Sequence, residues 1–200
     1  MKAGYMAVPC DPQQTKVVLI AGGRSGEREI SLASGDGAYQ ALCEAGFQVD
    51  RVDPAYKEDL LKLLTNEYDV AFLALHGKYG EDGTMQGMLE ILGIPYIGPG
   101  VWSSATAIDK PKAKVYYSKN DIPTPISFVL TAKTEKTAEQ IAEEIGTDCV
   151  IKAATEGSAL GVYICHSVSD INQALDEVFT IDKKAVSYTH LRAHETGRNL

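Results

Sequence analysis

The sequence predicts an α/β fold: an N-terminal open parallel sheet followed by a partial α+β subdomain. Two observations carry the first half of that expectation. Short, continuously apolar runs such as KVVLIAGG (16–23) and YDVAFLALHG (68–77) have the character of strands buried on both faces. They alternate with longer amphipathic segments closed by glycine, the pattern of strand–helix–strand crossovers. A third observation marks a change of architecture. DCVIKA and VYIC are separated only by the polar loop ATEGSALG, too short for a helical crossover but right for an antiparallel hairpin.

Each element follows from its local pattern. KVVLIAGG is a β-branched run ended by two glycines, a buried strand. In EREISLASGDGAYQALCEAG, Ile30, Leu32, Tyr39 and Leu42 mark the apolar face of a helix that stops at Gly46. FQVDRVDP is a second strand, KEDLLKLLTNE a helix, and YDVAFLALHG the third strand. GTMQGMLEILG is a helix with Met85, Met88, Leu89 and Leu92 on one face, and IPYIG a fourth short strand. SSATAIDKPKAKVYYSKNDIPTP reads as helices broken near Pro111, then a proline-rich link. ISFVLT and DCVIKA flank the helix KTAEQIAEEIG, VYIC is the last strand, and SVSDINQALDEVFT the last helix. Too few strands remain in this second unit to cover its helices.

The expected boundaries are a disordered leader at 1–15, a first domain at 16–102, a second unit at 103–184 and a tail at 185–200. The tail, AVSYTHLRAHETGRNL, is polar and aperiodic and is similar to a translated adapter, so it is read as non-native. His190, His194 and Glu195 within it do not have the HExxH spacing of a zinc site and are set aside.

Bulk properties exclude several functions. Two hundred residues suffice for one large domain or two small ones. The 44% hydrophobic fraction can fill real cores, and a formal net charge of −8 gives no general attraction to nucleic acid. The four cysteines (Cys10, Cys43, Cys149, Cys165) form no CxxC pair, so no zinc site is expected. Cys43, Cys149 and Cys165 read as small buried hydrophobes, which suits a reducing cytoplasm. No apolar run approaches the ~18 residues needed to span a membrane, and the N-terminus lacks the apolar core of a secretory signal.

No GxxxxGK(S/T) phosphate loop and no GxSxG nucleophile elbow occurs. Other groups stand at chemically useful places. Glu27 falls where the first strand ends and a helix begins, the edge at which open α/β sheets bind ligands. Its carboxylate can pair with a ligand ammonium, or merely complement the positive helix end. His76 ends the third strand at the same edge. It can hydrogen-bond a substrate, or simply finish the strand. Gly77, Gly80 and Gly83 allow close backbone approach beside it. Glu81 and Asp82 are candidate acids, but a helix cap for Asp82 and a local partner for Glu81 fit the pattern better. Lone lysines are usually solvated. Lys152, however, ends an apolar strand and precedes TEGSALG, a loop small enough to fold over phosphates as an anion nest does; a plain hairpin turn is the other reading. Lys110 lies in AIDKPKAK.

AGGRSGEREISLASG, HGKYGEDGTMQGMLEILGIPYIG, SATAIDKPKAK and IKAATEGSALGV occur in this order between Lys16 and Asp182. Together they resemble the D-alanine–D-alanine ligase family, and the HGxxGEDGxxQG string is highly specific. The resemblance implies an ATP-grasp enzyme of peptidoglycan synthesis, cytoplasmic, with a Rossmann-like, pre-ATP-grasp first domain and part of the ATP-grasp unit after it. ATP would phosphorylate the carboxylate of one D-alanine, and the amine of a second would displace phosphate to give the dipeptide. By motif, Glu27 would hold the first ammonium, with Ile30 and His76 in the same pocket. Lys110, Lys152 and Glu156 would face ATP, beneath a flap of Gly157, Ser158, Ala159, Leu160 and Gly161. Ser158 would link Glu27 to the second substrate.

Ala153 stands where the family usually has proline, and Ala159 where it often has serine. The Mg²⁺ ligands, the transition-state arginine and the mobile loop are expected in a C-terminal part this chain does not include, so the 200-residue chain is expected to be inactive. A homodimer, a D-alanine–D-lactate ligase, and a non-catalytic domain binding D-alanine or nucleotide are the further expectations weighed.

Overall fold

In the computed structural model, residues 11–157 and 159–189 are described. The chain divides into two compact units, residues 1–104 and 105–200. Ser158, His190, His194, Glu195 and Cys10 lie outside the described residues.

The first unit is a parallel sheet of β1 (Lys16–Ile20), β2 (Gln48–Val52), β3 (Val70–Leu73) and β4 (Tyr96–Ile97), in the order β2-β1-β3-β4. Helix α1 (Arg28–Glu44) links β1 to β2, α2 (Lys57–Thr65) links β2 to β3, and α3 (Thr84–Leu92) links β3 to β4. Because β1 neighbours both β2 and β3, the chain leaves it in one direction and returns on its other side, which opens a crevice at the carboxyl ends of β1 and β3.

Strand alternation sends Val18 and Ile20 to one face, against Leu63, Met85 and Leu89, and Leu19 to the other, against Ala38 and Tyr39 of α1. Both faces are therefore covered, as the continuous apolar strands require. The apolar face expected for α1 is different in detail. Ile30 is 54% exposed, and the fully buried positions are Ser31 and Gly35. Gly35 is there for space: a Cβ on it would stand 2.5 Å from the Cβ of Ala21. Cys43, expected to be buried, is exposed, whereas Cys149 and Cys165 are buried.

Asp53, just past β2, fastens this edge. It accepts from the amides of Gly23 and Ala55, at 2.9 Å each, and pairs with the Arg28 guanidinium at 2.6 Å. Burial alone would raise its pKa, but Arg28 and the two amides outweigh burial and hold it below the usual carboxylate value.

The second unit holds α5 (Lys110–Lys119), preceded by α4 (Val101–Ala107), which straddles the division. Asp109, 4% exposed, caps α5 by accepting from the Lys112 amide, and Pro111 sits in the first turn, where proline costs nothing. An antiparallel sheet follows, in the order β5-β8-β6-β7: β5 (Ser127–Leu130), β6 (Cys149–Ala153), β7 (Val162–Cys165) and β8 (Ala185–Thr189). The hairpin expected for β6 and β7 is present.

Helices α6 (Ala138–Ile145) and α7 (Val168–Ile181) cover one face through Ile141, Ile171, Leu175 and Val178 packed on Ile151 and Cys165. Here the structure corrects the expectation. Residues 185–189, read as the start of a non-native tail, form β8 between β5 and β6, so four strands back the two helices. The strand was hidden because small Ala185 and buried Ser187 take positions where apolar residues usually signal a core face.

The two glycines of α1 predict opposite signs. Gly37→Ala, whose Cβ would meet nothing within 4 Å, is expected to stabilise by about 0.5–1 kcal/mol through helix propensity. Gly35→Ala drives a methyl into Ala21 and is expected to cost roughly 1–3 kcal/mol; urea unfolding of both variants measures this. For Asp53, whose pKa is depressed by folding, the stabilisation is complete above the unfolded value of about 3.9 and is lost as pH falls through the lower folded value. Asp53→Asn should therefore cost about 1–2 kcal/mol at pH 7, and the gap to wild type should close below about pH 4.

Candidate functional site

The first cluster sits in the β1/β3 crevice. Ser31 Oγ, fully buried on α1, accepts from the Gly22 amide at 2.8 Å and donates to the Ala74 carbonyl at 2.7 Å. Ser25 Oγ donates to the His76 carbonyl at 2.7 Å and accepts from the Glu27 amide at 3.2 Å. Two hydroxyls thus tie the loop after β1 to the loop after β3, which brings Glu27 and His76 to one place. His76 is half-buried, with Nε2 3.0 Å from Ser34 Oγ. Neither serine pair was picked out from the sequence; the spacing of Ser31 and Ser34 on one helix face was the available signal.

Glu27 is 6% exposed, and its Oε2 has no hydrogen-bond partner among the described residues. A buried carboxylate oxygen without a partner is costly and points to a cation that the described residues do not themselves supply. Gly77 makes room for it. Its φ is +67°, and a Cβ there would lie 2.3 Å from Glu27 Oε2. Ile30, also assigned to this pocket, is on the exposed side of α1.

The rest of the HGKYGEDGTMQG turn is scaffold. Glu81 Oε2 accepts from the Gly77 amide at 2.7 Å, and Asp82 accepts from the amides of Tyr79 and Thr84 at 2.9 and 3.0 Å. Both acids act as local backbone acceptors; the N-cap of α3 is Gly83, not the expected Asp82, which binds the Thr84 amide from one residue earlier. Gln86, 3% exposed, donates to the Gly80 carbonyl at 2.7 Å, while its Oε1 lacks a partner among the described residues. It is a turn-holding residue that sequence reasoning passed over.

The second cluster surrounds the β6–β7 loop. Lys110 lies at the start of α5, and its Nζ donates to the Glu156 carbonyl at 2.6 Å. Burial first, then the like charge of Lys152, hold its ammonium below the ordinary lysine value. Lys152 points away from the α6/α7 face, with Nζ 5.3 Å from the Tyr188 ring centroid. Lys114 approaches the same ring at 4.8 Å.

The loop is fixed at both ends. The Thr155 amide and hydroxyl donate to Asp182, at 2.8 and 3.0 Å, and the Ala153 amide donates to the Gly161 carbonyl at 2.8 Å. Between these anchors, Glu156 and Gly157 are half-buried, Ala159 and Leu160 are exposed, and Ala159 has a left-handed φ of 63°. Two neighbouring lysines, one of them bonded to the loop at Glu156, concentrate positive charge beside it. Among the described residues there is no group of three or more His, Cys, Asp or Glu side chains placed to hold a metal ion.

Comparison with known proteins gives this arrangement its context. The family model described as D-ala D-ala ligase N-terminus matches residues 50–99, and that described as D-ala D-ala ligase C-terminus matches 118–197. A D-alanine–D-alanine ligase of Desulforamulus reducens is 42% identical over 197 residues, covering 92% of this chain and 62% of the relative. The crystal structure of D-alanine–D-alanine ligase from Bacillus anthracis is 32% identical with a TM-score of 0.79, covering 90% of this chain and 58% of that one. The Bacillus anthracis enzyme complexed with ATP gives a TM-score of 0.77 at 32% identity, covering 90% of this chain and 60% of that one. This chain thus spans about three-fifths of the length of that relative and of those structures. The motifs, both sheets and these likenesses agree: the chain belongs to the D-alanine–D-alanine ligase family.

Proposed function

We propose that the chain takes part in the ATP-dependent joining of two D-alanines, its first unit supplying the amino-acid half of the chemistry and its second the nucleotide half. The observation that carries this reading is the buried, unpartnered Oε2 of Glu27 at the sheet's switch point, with Gly77 in place of any bulkier residue. A zwitterionic amino acid offers the ammonium that this oxygen lacks. His76, held by Ser34, then stands beside the substrate carboxylate.

A carboxylate resists attack by an amine until one of its oxygens is phosphorylated, which makes phosphate the leaving group. Phosphoryl transfer from ATP depends chiefly on positioning and on positive charge along the phosphates. Lys110 and Lys152 supply that charge in this reading. The loop of Glu156, Gly157, Ser158, Ala159, Leu160 and Gly161 covers the phosphates and keeps water from the acyl phosphate. Ala159, where relatives often carry serine, gives up one hydroxyl, so the phosphate contact rests more on backbone amides. Among the described residues no cluster of acids fits Mg²⁺, whose charge would offset that of the phosphates. The setting is cytoplasmic peptidoglycan precursor synthesis. No helix among the described residues is long and apolar enough to cross a membrane.

Calorimetric titration of the 200-residue chain tests each half separately. Glu27→Gln is expected to weaken D-alanine binding at least tenfold, the loss of about 1.4 kcal/mol or more from one charge-assisted contact. Its thermal stability should hold or rise, because a buried unpaired charge is removed; unchanged D-alanine affinity overturns the assignment. Lys110→Met is expected to lower ATP affinity at least tenfold while unfolding stability holds or rises, since it relieves a half-buried ammonium beside a like charge. ATP affinity equal to wild type in that variant would remove the second unit from nucleotide binding.

A further inference from the structure

A cavity of about 400 Å³ opens beside α2 and α3 at the carboxyl edge of the parallel sheet. Its volume falls in the range of small-molecule sites, roughly 300–1,000 Å³. The floor is apolar: Leu60 of α2, Leu75 after β3, and Met85 and Met88 of α3. The mouth is cationic, lined by Arg24, Lys57 and Lys78, and among the described residues no Asp or Glu lines it. The neighbouring carboxylates do not line it: Asp53 is committed to Arg28 and the amides of Gly23 and Ala55, Asp59 to Lys62 and the Asp53 amide, Glu81 to the Gly77 amide, and Asp82 to the amides of Tyr79 and Thr84, while Glu58, next to Lys57, lies outside the lining.

The chain carries a formal net charge of −8, so three cations and no acid around one apolar hollow is a local inversion of charge. Neither Glu27 nor His76 lines this cavity, so it is separate from the proposed D-alanine pocket.

We propose that this cavity binds a small amphipathic carboxylate: an aryl or branched-alkyl body with one carboxylate at its end. The body displaces water from the leucine and methionine floor, where the unbranched methionines adapt to its outline. The carboxylate stays at the mouth, between the Lys57 and Lys78 ammonium groups, whose long stems allow them to follow it. A cationic or neutral ligand of the same shape meets the same floor but loses the rim.

The chain has only four methionines, so ¹³C-methyl methionine labelling of the whole protein gives few signals, two of them from Met85 and Met88 in the cavity floor. The probes are 4-phenylbutyrate, its neutral amide, and D-alanine. Both cavity signals are expected to shift saturably with 4-phenylbutyrate, and the amide should bind at least fivefold more weakly. Lys57→Gln and Lys78→Gln should each weaken the carboxylate about three- to fivefold, as partly exposed ion pairs do, with D-alanine affinity unchanged. Met88→Trp, which fills the floor, should abolish the shift of Met85. The proposal is overturned if 4-phenylbutyrate leaves both signals in place, if the amide binds as tightly, or if the two lysine variants bind like wild type. It is equally overturned if D-alanine competes for the cavity signals, since the hollow would then be part of the substrate pocket.

Discussion

Ser31 Oγ is the atom on which the first half-site depends. Buried between two strand ends, it takes the Gly22 amide and gives its proton to the Ala74 carbonyl. A hydroxyl can do both at once, which no apolar residue and no lone acceptor can. The bond pins α1 against the ends of β1 and β3, and the glycine at position 35 lets the helix come that close. Once α1 is seated, Glu27 at its start and Ser34 on its next turn have no freedom to choose a different neighbour. His76, reached through Ser25 and Ser34, is placed by the same seating. The pocket is therefore a consequence of how one helix sits on a parallel sheet, rather than of the loop residues alone.

The second half-site is organised by repulsion as well as by bonding. Lys110 and Lys152 are close enough for the charge of one to disfavour the charge of the other, and Lys110 is partly buried besides. Its contact to the Glu156 carbonyl offsets some of that cost. Two ammonium groups held together in this way gain most from a multiply charged anion, which relieves both the repulsion and the burial at once. The loop is anchored beside the lysines: Gly161 accepts from Ala153, which follows Lys152, and Glu156, which accepts from Lys110, follows the Thr155 anchor.

How much of this was legible in the sequence follows from where the physics is local. The parallel sheet was readable because β1 and β3 are covered on both faces and so are apolar without interruption. Glu27, His76 and Lys152 could be singled out because each lies at or after a strand end, whereas Lys110, at the start of α5, was singled out only through the family resemblance. The face of α1 was misread: its close packing is made by Ser31 and Gly35, small residues that carry no hydrophobic signal, while Ile30 points outward. Strand β8 was missed for a related reason, since Ala185 and Ser187 occupy its core-facing positions. The serine bridges could not be read either, because a hydroxyl announces its partner only when the tertiary approach exists.

The features that carry function in this reading are those that cost stability. Glu27 Oε2 is buried without a partner among the described residues, and Lys110 is half-buried beside a like charge. Each costs stability that a ligand of opposite charge would offset. The neighbouring acids show the contrast. Asp53, Glu81 and Asp82 sit as close to the crevice in sequence, yet each is engaged by backbone amides or an arginine. Acidity alone therefore does not separate the structural carboxylates from the functional one; the state of their hydrogen bonds does. The same distinction explains why HGKYGEDGTMQG contributes a histidine and a glycine to the pocket while its two acids serve the turn.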